Sequence, residues 1–430
     1  MSLQRSNLAQ LSEPETFHWM VGIEDTFIVE PWPKTNRILD EYELTGHYEH
    51  FREDIGLMAH LGVKMVRYGL PWYRINPSAN QWNWEWADGP MEFLLYHHID
   101  PVVDLVHYGL PSWIKDAYEN PDYPKYVAEY AFRIAERYKG LVHCYTPLNE
   151  PRITAWYCGK LGWWPPHRKG WKGFVNVMIG ACRGMIHTVE ALQSVDPEIV
   201  PVHVDATDLY ESADPSLQDE VHHRQEIVFL ALDLISGKIV PGHSLYEWLL
   251  KFGARESDLE WFQERAIDLA VVGINLYPMF SRKILHRSPR HGLRIRMPYS
   301  TEGIVERLSE LYWERYHSPL FITETASVGS VKRREQWLRT SVEQVKRVRS
   351  KGIPLAGYTW WPLFALVTWA YRQGTHPPAY YLKQMGLWDL HPDINDDLCR
   401  VKTPLVQIYR DLVAGGCDAV GQLQLLEQKV

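Results

Sequence analysis

The stretch from Val142 to Pro151 reads VHCYTPLNEP, an apolar run that ends in an asparagine, a glutamate and a proline. A second stretch, from Pro319 to Thr325, reads PLFITET and likewise ends an apolar, β-branched run with a carboxylate. Runs of this length and composition predict buried β-strands. A carboxylate is costly to bury beside apolar neighbours, so its presence at the end of two strands calls for a structural or functional reason.

Eight runs of this kind recur along the chain, and each is followed by a helical pattern. Between Pro124 and Lys139, for example, the apolar residues follow the period of an amphipathic helix. Eight alternations of strand and helix predict a parallel sheet that is covered by helices and closed into a barrel. The eight runs are His18–Ile23, Val63–Tyr68, Pro101–His107, Val142–Leu148, Val200–Asp205, Leu269–Asn275, Pro319–Thr323 and Pro354–Thr359.

No segment has the composition of a linker between domains, because Ser/Gly/Pro-rich tracts and long blocks of like charge do not occur. We therefore predict an α/β fold in which residues 1–430 form a single (β/α)8 TIM-barrel catalytic domain with elaborated βα loops. An open doubly wound sheet is disfavoured, because the glycine-rich phosphate turn typical of that fold is missing from the sequence.

The composition argues against several classes of protein. A net charge of −8 and an isoelectric point near 6.2 disfavour a nucleic-acid partner. No apolar run reaches the ~18 residues that a membrane span needs, and the polar N-terminus does not resemble a secretion signal. The five cysteines include no C-x-x-C pair, which is typical of a reduced chain. We therefore predict a cytoplasmic protein with no membrane partner.

No metal site and no cofactor are predicted. The histidine pairs His97-His98 and His222-His223 are adjacent, so on a helix their side chains point in different directions, and the zinc motif H-E-x-x-H does not occur. The serine-hydrolase motif G-x-S-x-G does not occur either. The 19 Trp and 24 Tyr residues suit sugar rings as well as an aromatic core.

The two strand-end carboxylates, Glu150 and Glu324, follow the fourth and the seventh predicted strands. In a (β/α)8 barrel the C-terminal ends of the strands surround the active site, so both side chains are expected in the barrel mouth. Hydrolysis of a glycoside with retention of configuration needs two carboxyl groups ~5–5.5 Å apart, one as nucleophile and one as acid and then base.

With these residues in place, the chain resembles glycoside hydrolase family 1, the β-glucosidase family of the (β/α)8 hydrolase clan. Six family motifs have counterparts in the right order. They are R-F-S-I-S-W-x-R-I-x-P at Arg67–Pro77, H-W-D-L-P at His107–Pro111, T-x-N-E-P at Pro147–Pro151, G-x-N-Y-Y at Gly273–Tyr277, I-T-E-N-G at Ile322–Ala326 and G-Y-x-x-W-S-L at Gly357–Leu363.

The resemblance implies a role for each matched residue. Glu324 is the expected nucleophile, and Glu150 is the expected acid and base, its pKa raised by the charge of Glu324. Arg67 and Tyr277 are expected to favour the ionised form of Glu324 and to lower its pKa. The remaining implied residues are Asn149, which would donate to the sugar 2-hydroxyl, and the substrate-binding candidates His107, Asn275, Trp361 and Trp369.

Two residues that read the sugar in the family differ here. An ungapped alignment puts Phe27 at the position of a glutamine, and Thr368 at the position of a glutamate that holds the 4- and 6-hydroxyls. A site that has lost such contacts discriminates differently between sugars, so plain glucosides are expected to be disfavoured. Glu24 and Asp25 are either replacement contacts or exposed loop charges.

Several interpretations remain open at this stage. Arg67 and His107 also fit a structural ion pair and a buried core histidine. The basic segment 281–299, with six cations and no acid, suits either an anionic substrate or a solvated loop that is paired with acids elsewhere. The predicted partner is a small carbohydrate or glycoside; the alternatives to hydrolysis are transglycosylation and non-hydrolytic carbohydrate binding. The glycone and the oligomeric state are not readable from the sequence.

Overall fold

The eight apolar runs form the eight strands of a closed parallel barrel in the computed structural model, which describes residues 7–395, 397–421 and 423. Each strand pairs in parallel with its two neighbours along the chain, and the last strand pairs with the first. The predicted (β/α)8 fold is therefore confirmed. The strands are β1 (His18–Gly22), β2 (Met65–Gly69), β3 (Asp100–Asp104), β4 (Cys144–Thr146), β5 (Val200–Ala206), β6 (Val271–Asn275), β7 (Leu320–Thr325) and β8 (Leu355–Trp360).

Helices alternate with the strands and cover the barrel. The helix that the sequence predicts between Pro124 and Lys139 forms as α6 with nearly the expected bounds. Helix α3 ends at Leu61 and is capped by Gly62, whose positive φ of 82° suits glycine. The helices are α1 (Asn7–Leu11), α2 (Glu41–Leu44), α3 (His47–Leu61), α4 (Trp72–Ile75), α5 (Glu85–Tyr96), α6 (Tyr123–Arg137), α7 (Pro151–Ala155), α8 (Gly170–Val195), α9 (Gln218–Ile235), α10 (Tyr246–Lys251), α11 (Glu256–Glu264), α12 (Ile304–Tyr316), α13 (Val331–Ser350), α14 (Pro378–Tyr381) and α15 (Leu405–Gly415).

The barrel interior is a packed apolar core. Every residue of β2, β5, β6, β7 and β8 is buried, as expected for strands covered on both faces. Each of the eight strands contributes to one apolar cluster, which includes Met20 of β1 and Phe321 of β7. The buried acidic residues of the strands, Asp104, Asp205 and Glu324, lie toward the C-terminal ends, so these carboxyl groups collect at one end of the barrel.

The basic segment 281–299 is a hairpin of the strands Arg282–Ser288 and Gly292–Arg296, and it joins the short strand Leu209–Glu211 that follows β5. Three of its cations pair with acids of that neighbouring loop. Arg282 lies 2.7 Å from Glu211, and Lys283 lies 3.2 Å from Asp208. Arg287 lies 3.8 Å from an aspartate of the same loop. These pairs favour the solvated, acid-paired interpretation of the segment.

The other short strands form three two-stranded ribbons, which pair Phe27–Ile28 with Leu39–Asp40, Leu366–Val367 with Leu382–Lys383, and Trp388–Pro392 with Leu398–Lys402. Within the described part of the chain, no helix combines the length and the apolar character that crossing a membrane requires.

Candidate active site

The two glutamates lie at the C-terminal end of the barrel, as predicted. Glu324 is part of β7, and Glu150 follows β4 at the residue that precedes helix α7. The backbone of Glu150 has φ 44° and ψ 67°, a left-handed conformation that is uncommon outside glycine. A hydrogen bond of 3.2 Å from its N–H to the carbonyl of Val204 on β5 holds this turn. Both side chains are buried.

Glu324 is held by a cation and a hydroxyl. Arg67, on β2, donates to its Oε1 atom, and the hydroxyl of Tyr277 donates to its Oε2 atom over 2.7 Å. The guanidinium of Arg67 also donates to Asp104 and, over 2.7 Å, to Oδ1 of Asn149. Arg67 therefore joins residues from four strands or strand ends. It forms a buried ion pair with Asp104 and also contacts Glu324, so the two interpretations of Arg67 are compatible.

Glu150 is held by neutral donors. Asn275 donates from Nδ2 to its Oε1 atom over 2.8 Å, and the hydroxyl of Tyr108 donates to its Oε2 atom. The hydroxyl of Thr323 donates to Oδ1 of Asn275 over 2.7 Å and so fixes the amide with its NH2 group toward Glu150. Asn275, predicted to bind substrate, thus contacts the acid/base candidate, and Tyr108 and Thr323 are residues that the sequence analysis did not identify.

The two carboxyls differ in pKa because their surroundings differ. Burial, followed by the charge of Glu324, raises the pKa of Glu150 to about 7, although the hydrogen bonds from Tyr108 and Asn275 oppose the rise. Burial also raises the pKa of Glu324, and the charges of Arg67 and His107 counter this without cancelling it. Arg67 and Tyr277 each lower the pKa of Glu324, as expected, but its net pKa is raised, because the sequence does not show the desolvation of a buried carboxyl.

His107 follows β3 and is buried in a network of charged groups. Its Nδ1 atom lies 2.5 Å from Asp25 and 3.1 Å from Asp104, and its Nε2 atom lies 2.8 Å from Asn149. Although burial alone would lower the pKa of His107, the charge of Asp25 and the contact with Asp104 raise it well above its usual value. A Cβ atom at Gly69 would come within 1.8 Å of Asp25, so glycine at this position makes room for the aspartate.

The loop after β1 places its side chains differently from what the ungapped alignment suggests. The ring of Phe27 packs edge to face on Tyr42, with the centroids 5.1 Å apart. Glu24 lies beside Trp361 and His107. Its Oε2 atom accepts a hydrogen bond of 3.1 Å from the indole N–H of Trp361, and its Oε1 atom lies 3.9 Å from His107. Glu24 and Asp25 are buried, not exposed loop charges.

A further carboxylate lies beside Thr368. Glu41, on helix α2, accepts a hydrogen bond of 3.0 Å from the N–H of Val367, and its other oxygen has no hydrogen-bond partner among the described residues. Burial, followed by the charge of Glu24, raises the pKa of Glu41 well above its usual value. The sequence analysis missed Glu41, because helix α2 carries no motif and lies far from residue 368 in the chain.

Aromatic side chains surround this end of the barrel. Trp361 is fully buried and stacks on His107, with the ring centroids 5.8 Å apart. Trp369 is half-buried and packs against Tyr108 and Trp164, with centroid distances of 5.3 and 5.0 Å. Tyr108 also lines a cavity of about 210 Å³. This cavity is formed mainly by residues 28–30, 108–118 and 164–167, and neither Glu150 nor Glu324 is among the residues that line it.

Two groups of side chains have the residue types and spacing of metal ligands. One is Asp25, Asp104 and His107, and the other, in the outer helices, is Glu226, Asp233 and His243; in each group the ligand atoms lie within 4.8 Å of one another. Each group is already contacted by its own arginine. Arg67 donates to Asp104, and Arg315 donates to Glu226 and Asp233. A metal ion at either place would compete with a guanidinium.

Comparisons with known proteins agree with this geometry. The family model "Glycosyl hydrolase family 1" matches residues 21–269, more than half of the chain. The chain is 23% identical to the aryl-phospho-β-D-glucosidase BglC of Bacillus subtilis, over 85% of this chain and 86% of that protein. It is 25% identical to the 1,4-β-D-glucan glucohydrolase of Thermotoga neapolitana, over 75% and 83% of the two chains.

The fold has counterparts among solved structures. The family 1 β-glucosidase from Thermotoga maritima superposes with a TM-score of 0.80 at 19% identity, and the match covers 94% of this chain and 98% of that one. A second structure of the Thermotoga maritima enzyme, in complex with glucoimidazole, gives the same TM-score. Family model, curated relatives and fold agree: the chain is a glycoside hydrolase and belongs to glycosyl hydrolase family 1.

Proposed function

We propose that the protein is a retaining β-glycosidase in which Glu324 is the nucleophile and Glu150 is the acid and base. The observation that carries this proposal is the asymmetry of two buried glutamates. Glu324 contacts a guanidinium, which favours a carboxylate, whereas Glu150 contacts neutral donors and has a pKa of about 7. Such a pair supplies one ionised and one protonated carboxyl near neutral pH.

In the first step, Glu324 attacks the anomeric carbon while the protonated Glu150 gives its proton to the leaving oxygen. Arg67 and Tyr277 position the attacking carboxylate, because each holds one of its two oxygens. Once the ester has formed, Glu324 no longer carries a charge, and the pKa of Glu150 falls because that charge had raised it.

In the second step, the ionised Glu150 takes a proton from water, and the water oxygen attacks the anomeric carbon and releases Glu324. Two inversions give net retention. Asn149, between Arg67 and His107, is proposed to donate to the sugar 2-hydroxyl, in line with the resemblance of Pro147–Pro151 to the family motif.

We further propose that the glycone pocket differs from that of a glucosidase. Glu24 lies beside Trp361 and His107 where an amide was expected, and Glu41 lies beside Thr368 where a glutamate was expected on the eighth-strand loop. Two carboxylates then face the sugar instead of one amide and one carboxylate. The other proposed substrate contacts are His107, Trp361, Trp369 and Thr368. We also propose that residues 1–430 form one catalytic domain.

A panel of aryl β-glycosides tests both parts of the proposal. It includes glucoside, fucoside, arabinoside, xyloside, glucuronide and 6-phosphoglucoside, with wild type and Glu324→Gln compared on each and the first product followed by NMR. We expect a β-configured first product, no turnover by Glu324→Gln, and a kcat/KM for the glucoside below that of another sugar by at least roughly tenfold. An inverted product contradicts the mechanism, and a glucoside that equals every other sugar contradicts the pocket.

The panel also separates the two alternative functions. A transglycosylase gives disaccharide products when an acceptor sugar is added, whereas a hydrolase gives free sugar at all acceptor concentrations. A non-hydrolytic binder gives no turnover by the wild type on any member of the panel. Against that last alternative stands the pairing of Glu150 and Glu324 with their separate donors, because binding alone needs no acid beside a nucleophile.

A further inference from the structure

Tyr108 departs from the family motif H-W-D-L-P, and its hydroxyl is the group that contacts Oε2 of Glu150. Its backbone is left-handed, with φ 69°, a conformation that few residues other than glycine adopt. The ring is buried among His107, Trp164 and Trp369, with centroid distances of 4.6, 5.2 and 5.3 Å. The surrounding packing therefore holds the hydroxyl at one place.

The two oxygens of Glu150 have different kinds of partner. Oε1 faces the NH2 group of Asn275, which donates and does not accept, because Thr323 holds the other end of the amide. A proton on Oε1 directed at Asn275 would lie opposite the hydrogens of its NH2 group, and the two would repel each other. The acid proton is therefore placed on Oε2. There the partner is the hydroxyl of Tyr108, which rotates and can either donate or accept.

We propose that Tyr108 is a positioning residue that supports both protonation states of Glu150, donating to the carboxylate and accepting from the acid. This inference rests on the proposed role of Glu150. Before substrate binds, the proton on Oε2 points to the oxygen of Tyr108. With a glycoside bound, this O–H turns to the leaving oxygen, and the proton passes to that oxygen as the glycosidic bond breaks. The hydroxyl turns and donates to the new carboxylate until water returns a proton to it. Tyr108 keeps its own proton throughout.

The charge of Glu150 also depends on other groups, and the test has to hold them constant. The titratable side chains that face Glu150 from the surrounding elements are Glu324, His107, Asp205, Tyr277, Tyr157 and Tyr108 itself. A phenylalanine at position 108 keeps the ring and its packing and removes only the hydroxyl, so the other five groups stay in place.

The first measurement is the pH dependence of kcat/KM for Tyr108→Phe. The hydrogen bond that Tyr108 donates to the carboxylate is charge-assisted and therefore stronger than the one it accepts from the acid, so removal of the hydroxyl raises the pKa of Glu150. The alkaline limb is expected to move up by about one pH unit. The matched control is Tyr157→Phe, because Tyr157 packs against Trp164 in the same aromatic group and makes no hydrogen bond to Glu150 in the described structure. An unmoved limb, or an equal movement in both variants, overturns the proposal.

The second measurement does not depend on turnover. Carbon-13 labelling of glutamate carboxyls, with the signal of Glu150 assigned by its loss in Glu150→Gln, gives the pKa of Glu150 directly. We expect it to be about one unit higher in Tyr108→Phe than in the wild type or in Tyr157→Phe. If the wild type hydrolyses no glycoside but this shift occurs, the proposed function fails and the contact stands; if hydrolysis occurs without the shift, the role of Tyr108 fails.

Discussion

Two arginine clusters in this molecule have nearly the same composition and different surroundings. The proposed catalytic cluster contains Arg67 with Asp104, Glu324 and His107, at the end of the barrel. The outer cluster contains Arg315 with Glu226, Asp233 and His243, between helices α9 and α12. Each has one guanidinium, two carboxylates and a histidine, so residue types alone do not distinguish the active site from a structural cluster.

The difference lies in how completely the arginine satisfies its partners. Arg315 donates to all four carboxylate oxygens of Glu226 and Asp233. Although burial alone would raise it, hydrogen bonds with His243 and Arg315 lower the pKa of Asp233. Arg67 contacts only one oxygen of Glu324, and the pKa of that carboxyl is raised. An incompletely neutralised carboxylate keeps the reactivity that a nucleophile needs, whereas a fully paired one only stabilises the fold.

The largest expected effect comes from replacing the carboxylate of Glu324, and the matched control replaces a carboxylate of the outer cluster. Glu324→Gln should lower kcat/KM for aryl glycosides by at least roughly 10⁴-fold, because no other group replaces the nucleophile. The matched variant in the outer cluster, Glu226→Gln, should stay within about threefold of wild type. Steady-state kinetics on both variants, with folding checked by circular dichroism, make the comparison. Equal losses in the two variants would show that the clusters are not functionally different.

Replacing each arginine should separate activity from stability. Arg67→Met removes one electrostatic partner of Glu324 and is expected to lower kcat/KM by roughly 10²- to 10³-fold. Arg315→Met removes the guanidinium that pairs with the buried carboxylates of Glu226 and Asp233 and is expected to lower the free energy of unfolding by about 3–5 kcal/mol, while kcat of the folded fraction is unchanged. Denaturant titration and kinetics at a temperature where both variants are folded provide the test. A loss of kcat in Arg315→Met contradicts the assignment.

The smallest expected effect is the pH dependence of the wild type. The first step needs protonated Glu150, whose pKa is raised to about 7, so kcat/KM should fall as the pH rises through about 7. It also needs ionised Glu324, whose pKa is raised, so the acid limb should lie above the usual range of a glutamate. Because Glu150 and Glu324 interact, the two apparent pKa values of the pH profile describe the pair of carboxyls together. A profile that stays flat from pH 6 to pH 9 would contradict the role of Glu150.

Local sequence was sufficient for much of the architecture. Eight apolar runs predicted eight strands, because a strand that is covered on both faces must be apolar along its length. The ends of the fourth and seventh runs predicted the two glutamates, and short motifs predicted Arg67, Asn149 and Tyr277. The structure brings all five together, because the C-terminal ends of parallel strands meet at one end of a barrel.

The residues proposed to face the sugar were placed by the tertiary structure. An ungapped count from Trp19 pointed to Phe27, but the loop after β1 turns so that Glu24 faces the site and Phe27 packs on Tyr42. Glu41 reaches the backbone beside Thr368 from a helix that lies 326 residues earlier in the chain. Contacts of this kind depend on loop conformation, and loops are the segments whose course a strand and helix pattern does not specify.

The protonation of the site was likewise decided by the folded structure. The sequence indicated which charges would be neighbours, and on that basis the pKa of Glu324 was expected to be lowered by Arg67. Burial outweighs this pair and raises the pKa instead. Desolvation is a sum over all the atoms that exclude water from a group, and those atoms come from many segments of the chain. The sequence by itself therefore determined which residues are proposed to carry the chemistry, and only the tertiary structure decided their protonation and which further side chains surround them.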